Sequence, residues 1–220
     1  MQHVKIRKYK KEDRQTLRDI AFDTALIGES ADVFFDDREI LSDYLTMYYT
    51  DYEPQSCFVA EREGKIIGYL IGAKDVNVLK KVFIVKIVPR LLIKVISRGM
   101  LLRRKNIVFA FSCLIGFLKG EFKMPDFSKD YPATLHINIT KAFRNSNIGS
   151  MLIAGYLDYL TKEDVKAAHL ATMSDKAASF FGKSGFNLLY QGKRSYLRHV
   201  LNKDVPVYIY GKRLRPFSIA

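Results

Sequence analysis

The feature that most constrains this chain is a change of period within residues 134–160. Residues 134–140, T-L-H-I-N-I-T, are rich in strand formers, with Leu135, Ile137 and Ile139 alternating against His136 and Asn138. From Ile148 the apolar residues recur every four positions, at Leu152, Tyr156 and Leu160, which predicts one buried face of an amphipathic helix with no proline to interrupt it. Between them lies a short polar loop, Arg144-Asn145-Ser146-Asn147-Ile148-Gly149-Ser150. A chain that turns from strand to helix in so few residues leaves the first N–H groups of the helix without intrahelical partners. With the positive end of the helix dipole behind them, and Gly149 letting a ligand approach the backbone, they suit a phosphate or pyrophosphate. The competing reading is that Asn, Ser and Gly only cap the helix, as in many strand-to-helix turns.

With 220 residues and 48% hydrophobic composition, the chain can bury one substantial core, or one core plus an inserted element. Two cysteines, Cys57 and Cys113, and four scattered histidines make neither a disulfide framework nor a metal cluster, so no metal site is expected and a reducing cytoplasm is the simple setting. Residues 1–20 hold no continuous apolar core, and residues 1–6 read as a first strand in place of a signal peptide.

Residues 4–9 alternate as that strand, and Lys11-Glu12-Asp13 opens a helix with Leu17, Ile20, Ala21 and Thr24 on one face. Asp36 and Asp37 precede a second helix carrying Ile40, Leu41, Tyr44, Leu45, Tyr48 and Tyr49. Residues 56–62 and 65–73 form two strands joined at Glu63-Gly64, a hairpin turn.

Two segments together resemble the GCN5-related N-acetyltransferase (GNAT) superfamily. Its cofactor loop follows a strand and reads Arg/Gln-x-x-Gly-x-Gly/Ala; Arg144 fills the first position, Asn147 replaces the first glycine and Gly149 is the second. Asn is the non-glycine residue that best tolerates a left-handed backbone, so the loop conformation is expected to survive. The next family motif, Asn-x-x-Ala-x-x-hydrophobic-Tyr-x-x-x-Gly-Phe, is matched after a strand at residues 169–173. Ser174 stands at the Asn, Ala177, Phe180, Gly185 and Phe186 fall in register, and Phe181 stands at the Tyr. Residues 24–28, 48–54 and 131–138 are also similar to bacterial members related to the acetyltransferase-like domain found beside some O-GlcNAc hydrolases.

The resemblance implies an α/β fold over residues 1–220, a mixed and mostly antiparallel sheet flanked by helices, and acetyl-CoA as acyl donor to an amine of a small molecule or protein. It assigns Ile137, Asn138 and Ile139 to the pantetheine arm, and Arg144, Asn145, Ser146, Asn147, Ile148, Gly149 and Ser150 to the pyrophosphate. Ser174, Ala177, Phe180, Phe181 and Lys183 complete the cofactor set. Phe181 cannot protonate a leaving thiolate, a task left to Tyr190 or solvent. The candidate catalytic residues are His136, which titrates near neutrality, and Asn138, although both lie by alternation opposite the strand face, Ala133, Leu135 and Ile137, that carries the base in other members. A histidine bonded to a neighbour and an asparagine paired with backbone are the structural alternatives. The rival function is a non-catalytic acyl-CoA-binding or interaction module.

Residues 74–130 are an insertion between the hairpin and the cofactor strand. Between Val76 and Gly120 stand ten basic residues and no acid, so this stretch carries +10 of the formal +13. After Pro89, Arg90, Lys94 and Arg98 form one stripe and Leu91, Leu92, Val95, Ile96 and Leu102 another, predicting a basic amphipathic helix. Residues 107–118 are twelve uncharged residues, short of the roughly twenty that span a bilayer. The leading expectation is that the insertion packs on the body or on a second copy and leaves Lys and Arg in water. Peripheral contact with an anionic membrane ranks second, and nucleic acid last, for want of a recognised fold or aromatic platform.

Overall fold

The computed structural model describes residues 4–214; Met1, Gln2 and His3, the opening of the expected first strand, lie outside them. Fifteen regular elements follow in the order β1 (Lys5–Lys8), α1 (Arg14–Asp23), α2 (Arg38–Met47), β2 (Phe58–Arg62), β3 (Lys65–Ala73), α3 (Val76–Val82), α4 (Val88–Ser97), α5 (Arg104–Leu118), β4 (Ala133–Ile139), α6 (Ile148–Lys162), β5 (Ala167–Thr172), α7 (Asp175–Lys183), β6 (Asn187–Arg194), α8 (Arg198–Leu201) and β7 (Val205–Arg213). Their boundaries follow local chemistry. Asp37 caps α2 by accepting the Ile40 N–H at 2.9 Å, and Glu63 and Gly64 take φ of 53° and 74°, the left-handed pair that closes the β2–β3 hairpin.

The seven strands form one sheet in the order β1-β2-β3-β4-β5-β7-β6, antiparallel throughout except for β4 beside β5. One face packs against α6 and α7: Leu135 from β4 and Ile148, Leu152, Tyr156 and Leu160 from α6 meet in the main core. The other face packs against α1, where Leu17, Ile20 and Ala21 meet Val59, Tyr69 and Ile71. The buried Glu53 carboxylate ties the start of the insertion down, accepting from Tyr48 Oη at 2.8 Å, Ser56 Oγ at 2.5 Å and the Lys74 N–H at 2.8 Å.

The insertion is helical and packs on the body, but its basic stripe is paired where it was expected to be left in water. A π-helical segment, Phe83–Ile87, joins α3 to α4, and α4 lies antiparallel to α2. Arg90 reaches Tyr52 Oη at 3.0 Å, Lys94 reaches Glu39 and Asp43 at 2.6 and 2.7 Å, and Arg98 reaches Asp37 at 3.1 Å and also Glu39. The basic stripe is therefore engaged by the body, with Lys94 half-buried and Arg90 and Arg98 still open to water on their outer sides. Leu91 is buried and Val95 half-buried, while Leu92, Ile96 and Leu102 from the same expected stripe face outward. The reason lies in α2, whose acids Glu39 and Asp43 stand four residues apart on one side, a ladder that matches Lys94 and Arg98. Asp43, 1% exposed, also pairs with buried Arg18.

Candidate active site

The site begins where the sheet opens. β4 and β5 pair only at Ala133 with Ala168 and Thr134 with His169, so beyond Thr134 the edge of β4 that faces β5 has no strand partner. Its other edge is fully engaged, since β3 pairs with it from Thr134 to Ile139. At the root of this opening the Tyr156 hydroxyl lies 2.8 Å from the Thr134 carbonyl and 3.2 Å from that of Ala73. Among the described residues, the backbone edge of residues 135–138 that faces away from β3 is free of a strand partner and leads, past the Ile139 carbonyl held by Arg144 Nε, to the loop before α6.

That loop has the expected backbone. Asn145 and Asn147 both adopt the left-handed conformation, with φ of 64° and 63°, and Asn147 makes no side-chain cap. Ser146 does not cap the helix either; its hydroxyl donates backward to the Phe143 carbonyl. The first local bond of α6 runs from the Met151 N–H to the Asn147 carbonyl at 3.1 Å. Among the described residues, the N–H groups of residues 145–150 meet no protein acceptor. The capping alternative is thus disfavoured by the geometry of the loop itself: two left-handed asparagines shape it, neither Asn147 nor Ser146 caps the helix, and a row of donors is left without protein acceptors.

Three residues behave differently from the expectation. Gly149 is buried, and a Cβ there would sit 2.9 Å from Phe180 Cζ, so the glycine is needed to make room for the Phe180 ring. The Arg144 guanidinium donates to the carbonyls of Ile139 (3.1 Å) and Gly28, tying the segment after α1 to the loop in place of reaching out of it. Phe181, 4% exposed, is a core residue stacked edge-on against Phe186, so its side chain is not offered at the free edge of β4. Ile148 is likewise buried and presents only its backbone.

Of the remaining cofactor candidates, Ile137 and Ile139 are half-buried against the α6 core, Ser150 is half-buried, and Ala177 and Phe180 pack on the same core. Ser174 caps α7, accepting the Ala177 N–H at 3.4 Å. Lys183 is exposed in the last turn of α7. Tyr190 lies on β6, the edge strand, separated from β5 by β7.

His136 and Asn138 project from the α1 face of β4, opposite Leu135, as alternation requires. Asn138 Nδ2 donates to Tyr69 Oη at 2.8 Å and to His136 Nε2 at 3.1 Å. With Asn138 as donor, His136 Nε2 is an acceptor and the ring proton sits on Nδ1. The imidazole is open to water on one side yet crowded by protein on the others, and this desolvation lowers its pKa below 6.5, holding it neutral at pH 7. Burial raises the Tyr69 hydroxyl well above its ordinary value, so it stays protonated. Tyr69 was missed from sequence because on β3 it reads as one more apolar strand residue; its register opposite Asn138 was the available signal.

No protein-family model matches the chain, and no curated protein matches it in sequence. Solved structures do. The architecture, with β4 and β5 splayed beside the α6 loop, is the acyl-CoA N-acyltransferase fold of the GNAT superfamily. The crystal structure of SsHAT superposes with a TM-score of 0.70 at 21% identity, covering 96% of this chain and 98% of that one. The Drosophila melanogaster polyamine N-acetyltransferase, which forms N-acetylagmatine, gives 0.58 at 13% identity over 96% and 100% of the two chains. The putative acetyltransferase yncA from Salmonella typhimurium, solved with its cofactor acetyl-CoA, gives 0.57 at 13% identity over 98% and 96%.

Proposed function

We propose that the chain transfers an acetyl group from acetyl-CoA to a primary amine. The observation that carries this reading is the continuity between the free edge of β4 and the six unpartnered N–H groups of residues 145–150. A backbone edge suits the amides of a pantetheine arm, and a row of donors at a helix start suits a pyrophosphate. Acetyl-CoA supplies the acyl group as a thioester, activated toward an unprotonated amine. Backbone at Ile137, Asn138 and Ile139 positions it, and Lys183 offers an exposed cation near the end of α7. The loop from Arg144 to Ser150 acts through its N–H groups, with Arg144 as the tie that fixes its shape.

His136 is the acceptor of the proton that the amine sheds as it attacks, its Nε2 exchanging the Asn138 hydrogen bond for that proton. It is neutral at working pH, and Asn138 holds its ring while Tyr69 holds Asn138, so the three act as one oriented unit. The ammonium first loses a proton to solvent; in forming the amide, a nitrogen–carbon bond replaces a carbon–sulfur bond, the attacking amine gives its next proton to His136, and the thiolate draws one from solvent. The acceptor enters from the α1 and α2 side, where His136 faces, as a small molecule or a protein amine. The setting is cytoplasmic, consistent with two free thiols, Cys57 and Cys113.

Calorimetry with coenzyme A tests the cofactor site. Asn147→Asp keeps a residue that accepts a left-handed backbone but sets a carboxylate among the donors, and should weaken binding by about tenfold or more, while Asn147→Gly binds like wild type. Folded wild type that takes up no coenzyme A overturns the reading. The buried Phe181, where a proton donor would be useful, favours the second reading, a non-catalytic binding module; uptake of acetyl-CoA with no thiol release across an amine panel would select it.

A further inference from the structure

The insertion exposes what a solvated helix pair normally hides. Ile93, Ile96 and Leu102 are 67%, 73% and 86% exposed, and on α5 Phe111, Phe117 and Leu118 stand equally open. Both helices rest on the same part of the body. α4 lies on α2; α5 sits on the segment leading into α2, where Lys105 pairs with Asp36 at 3.0 Å, Asn106 Oδ1 accepts the Asp36 N–H at 3.1 Å, and Phe109 packs on Phe34 and Phe35. Their outward faces therefore look away from one common layer, linked at the turn by Leu101 and Leu102.

Charge says what can cover this face. Among the described residues, Lys81, Lys86, Arg103, Arg104 and Lys119 have no acidic partner, and no acid occurs between Val76 and Gly120. Arg103, Arg104 and Lys105 crowd the start of α5, which has no side-chain cap and no acid in its first turn, so three cations oppose the positive end of the helix dipole. A second copy docking through the same face would bring two such unpaired basic rims together. Nucleic acid would meet the cations but would leave the aliphatic side chains in water.

We propose that the outer face of α4 and α5 seats this protein on an anionic lipid bilayer, apolar side chains entering the headgroup boundary and Arg103, Arg104, Lys81 and Lys119 reaching lipid phosphates. No helix among the described residues is long and apolar enough to cross a membrane, and α5, with fifteen residues, lies in the interface. The arrangement stands independently of acetyl transfer.

Flotation with vesicles of phosphatidylcholine alone, or with phosphatidylserine added, tests it, alongside light scattering of the free protein. Wild type should float with the anionic vesicles and progressively less as salt rises. Ile93→Glu combined with Ile96→Glu should cut binding about tenfold or more, and Arg103→Glu with Arg104→Glu should cut it by roughly fivefold or more per charge, with the circular dichroism of both variants unchanged. Arg90, Lys94 and Arg98 are unsuitable targets because they hold α4 to the body, Lys94 and Arg98 at α2 and its cap and Arg90 at Tyr52 beyond it. Failure of wild type to float, equal flotation of the apolar variant, or a stable wild-type dimer that the apolar variant makes monomeric would each overturn the proposal.

Discussion

Helices α6 and α4 carry comparable apolar periodicity and bury it differently. In α6 the four-residue repeat Ile148, Leu152, Tyr156 and Leu160 goes wholly inside, each at 1% exposure or less. In α4 the repeat is divided: Leu91 goes in, while Leu92, Ile93 and Ile96 stay out and Lys94 and Arg98 turn toward the body. The partners explain the contrast. α6 lies on an apolar sheet face, where burial of hydrocarbon decides orientation, at about 25 cal/mol per Å² removed from water. α4 lies on a helix whose contact side carries Glu39 and Asp43, and a desolvated Asp43 needs cations more than it needs leucines.

Asp43→Ala should break the comparison most strongly. It leaves Arg18, 6% exposed, and Lys94 without their shared carboxylate, and the loss in urea denaturation should be about 3–5 kcal/mol. A loss under 1 kcal/mol would show that the apolar contacts of Leu91 and Ile87 alone seat α4.

At the proposed acetyl-CoA site, His136→Gln should lower kcat for acetyl transfer by about a hundredfold or more with little change in stability. The sign of the pH effect is fixed by the desolvated ring. Its folded pKa lies below 6.5, so wild-type kcat/KM should fall as pH drops through that lower value, and this limb should vanish in the variant. An unchanged limb in the variant would remove His136 from proton transfer.

Gly149→Ala sharpens the difference between packing and ligand approach. The new methyl presses on the Phe180 ring, costing about 1–3 kcal/mol of stability. Coenzyme A affinity at low temperature should remain, since the N–H groups are untouched; a selective loss of affinity would return Gly149 to the role read from sequence.

The smallest effect concerns Glu39. Lys94 first, then Arg98, holds its carboxyl at about 2 against an ordinary 4.5. A depressed folded pKa contributes stability that is present above 4.5 and is lost as pH falls through about 2. With the side chain 42% exposed, the contribution is screened, and Glu39→Gln should cost under about 1 kcal/mol, less at high salt. Equal cost at low and high salt would point to packing by the side-chain stem.

Much of the site was legible because its signals are local. The left-handed Asn147 followed from residue chemistry at one position, and the opposition of His136 to Leu135 followed from strand alternation. Tyr69 was not legible, because its hydroxyl gains meaning only from β3 lying beside β4 in a particular register. Gly149 was legible as a necessary glycine but not for its reason, since Phe180 arrives from thirty-one residues further on.

By itself the sequence determined the strand-loop-helix unit, the β2–β3 hairpin, the helical insertion and the fold class, because period, turn residues and capping act over a few neighbouring residues. Only the tertiary structure decided which side of α4 is inside, which hydroxyl orients Asn138, and where the sheet opens. Each of those depends on what a distant segment presents, and a side chain settles toward the partner that best offsets its loss of water, whether hydrocarbon or charge.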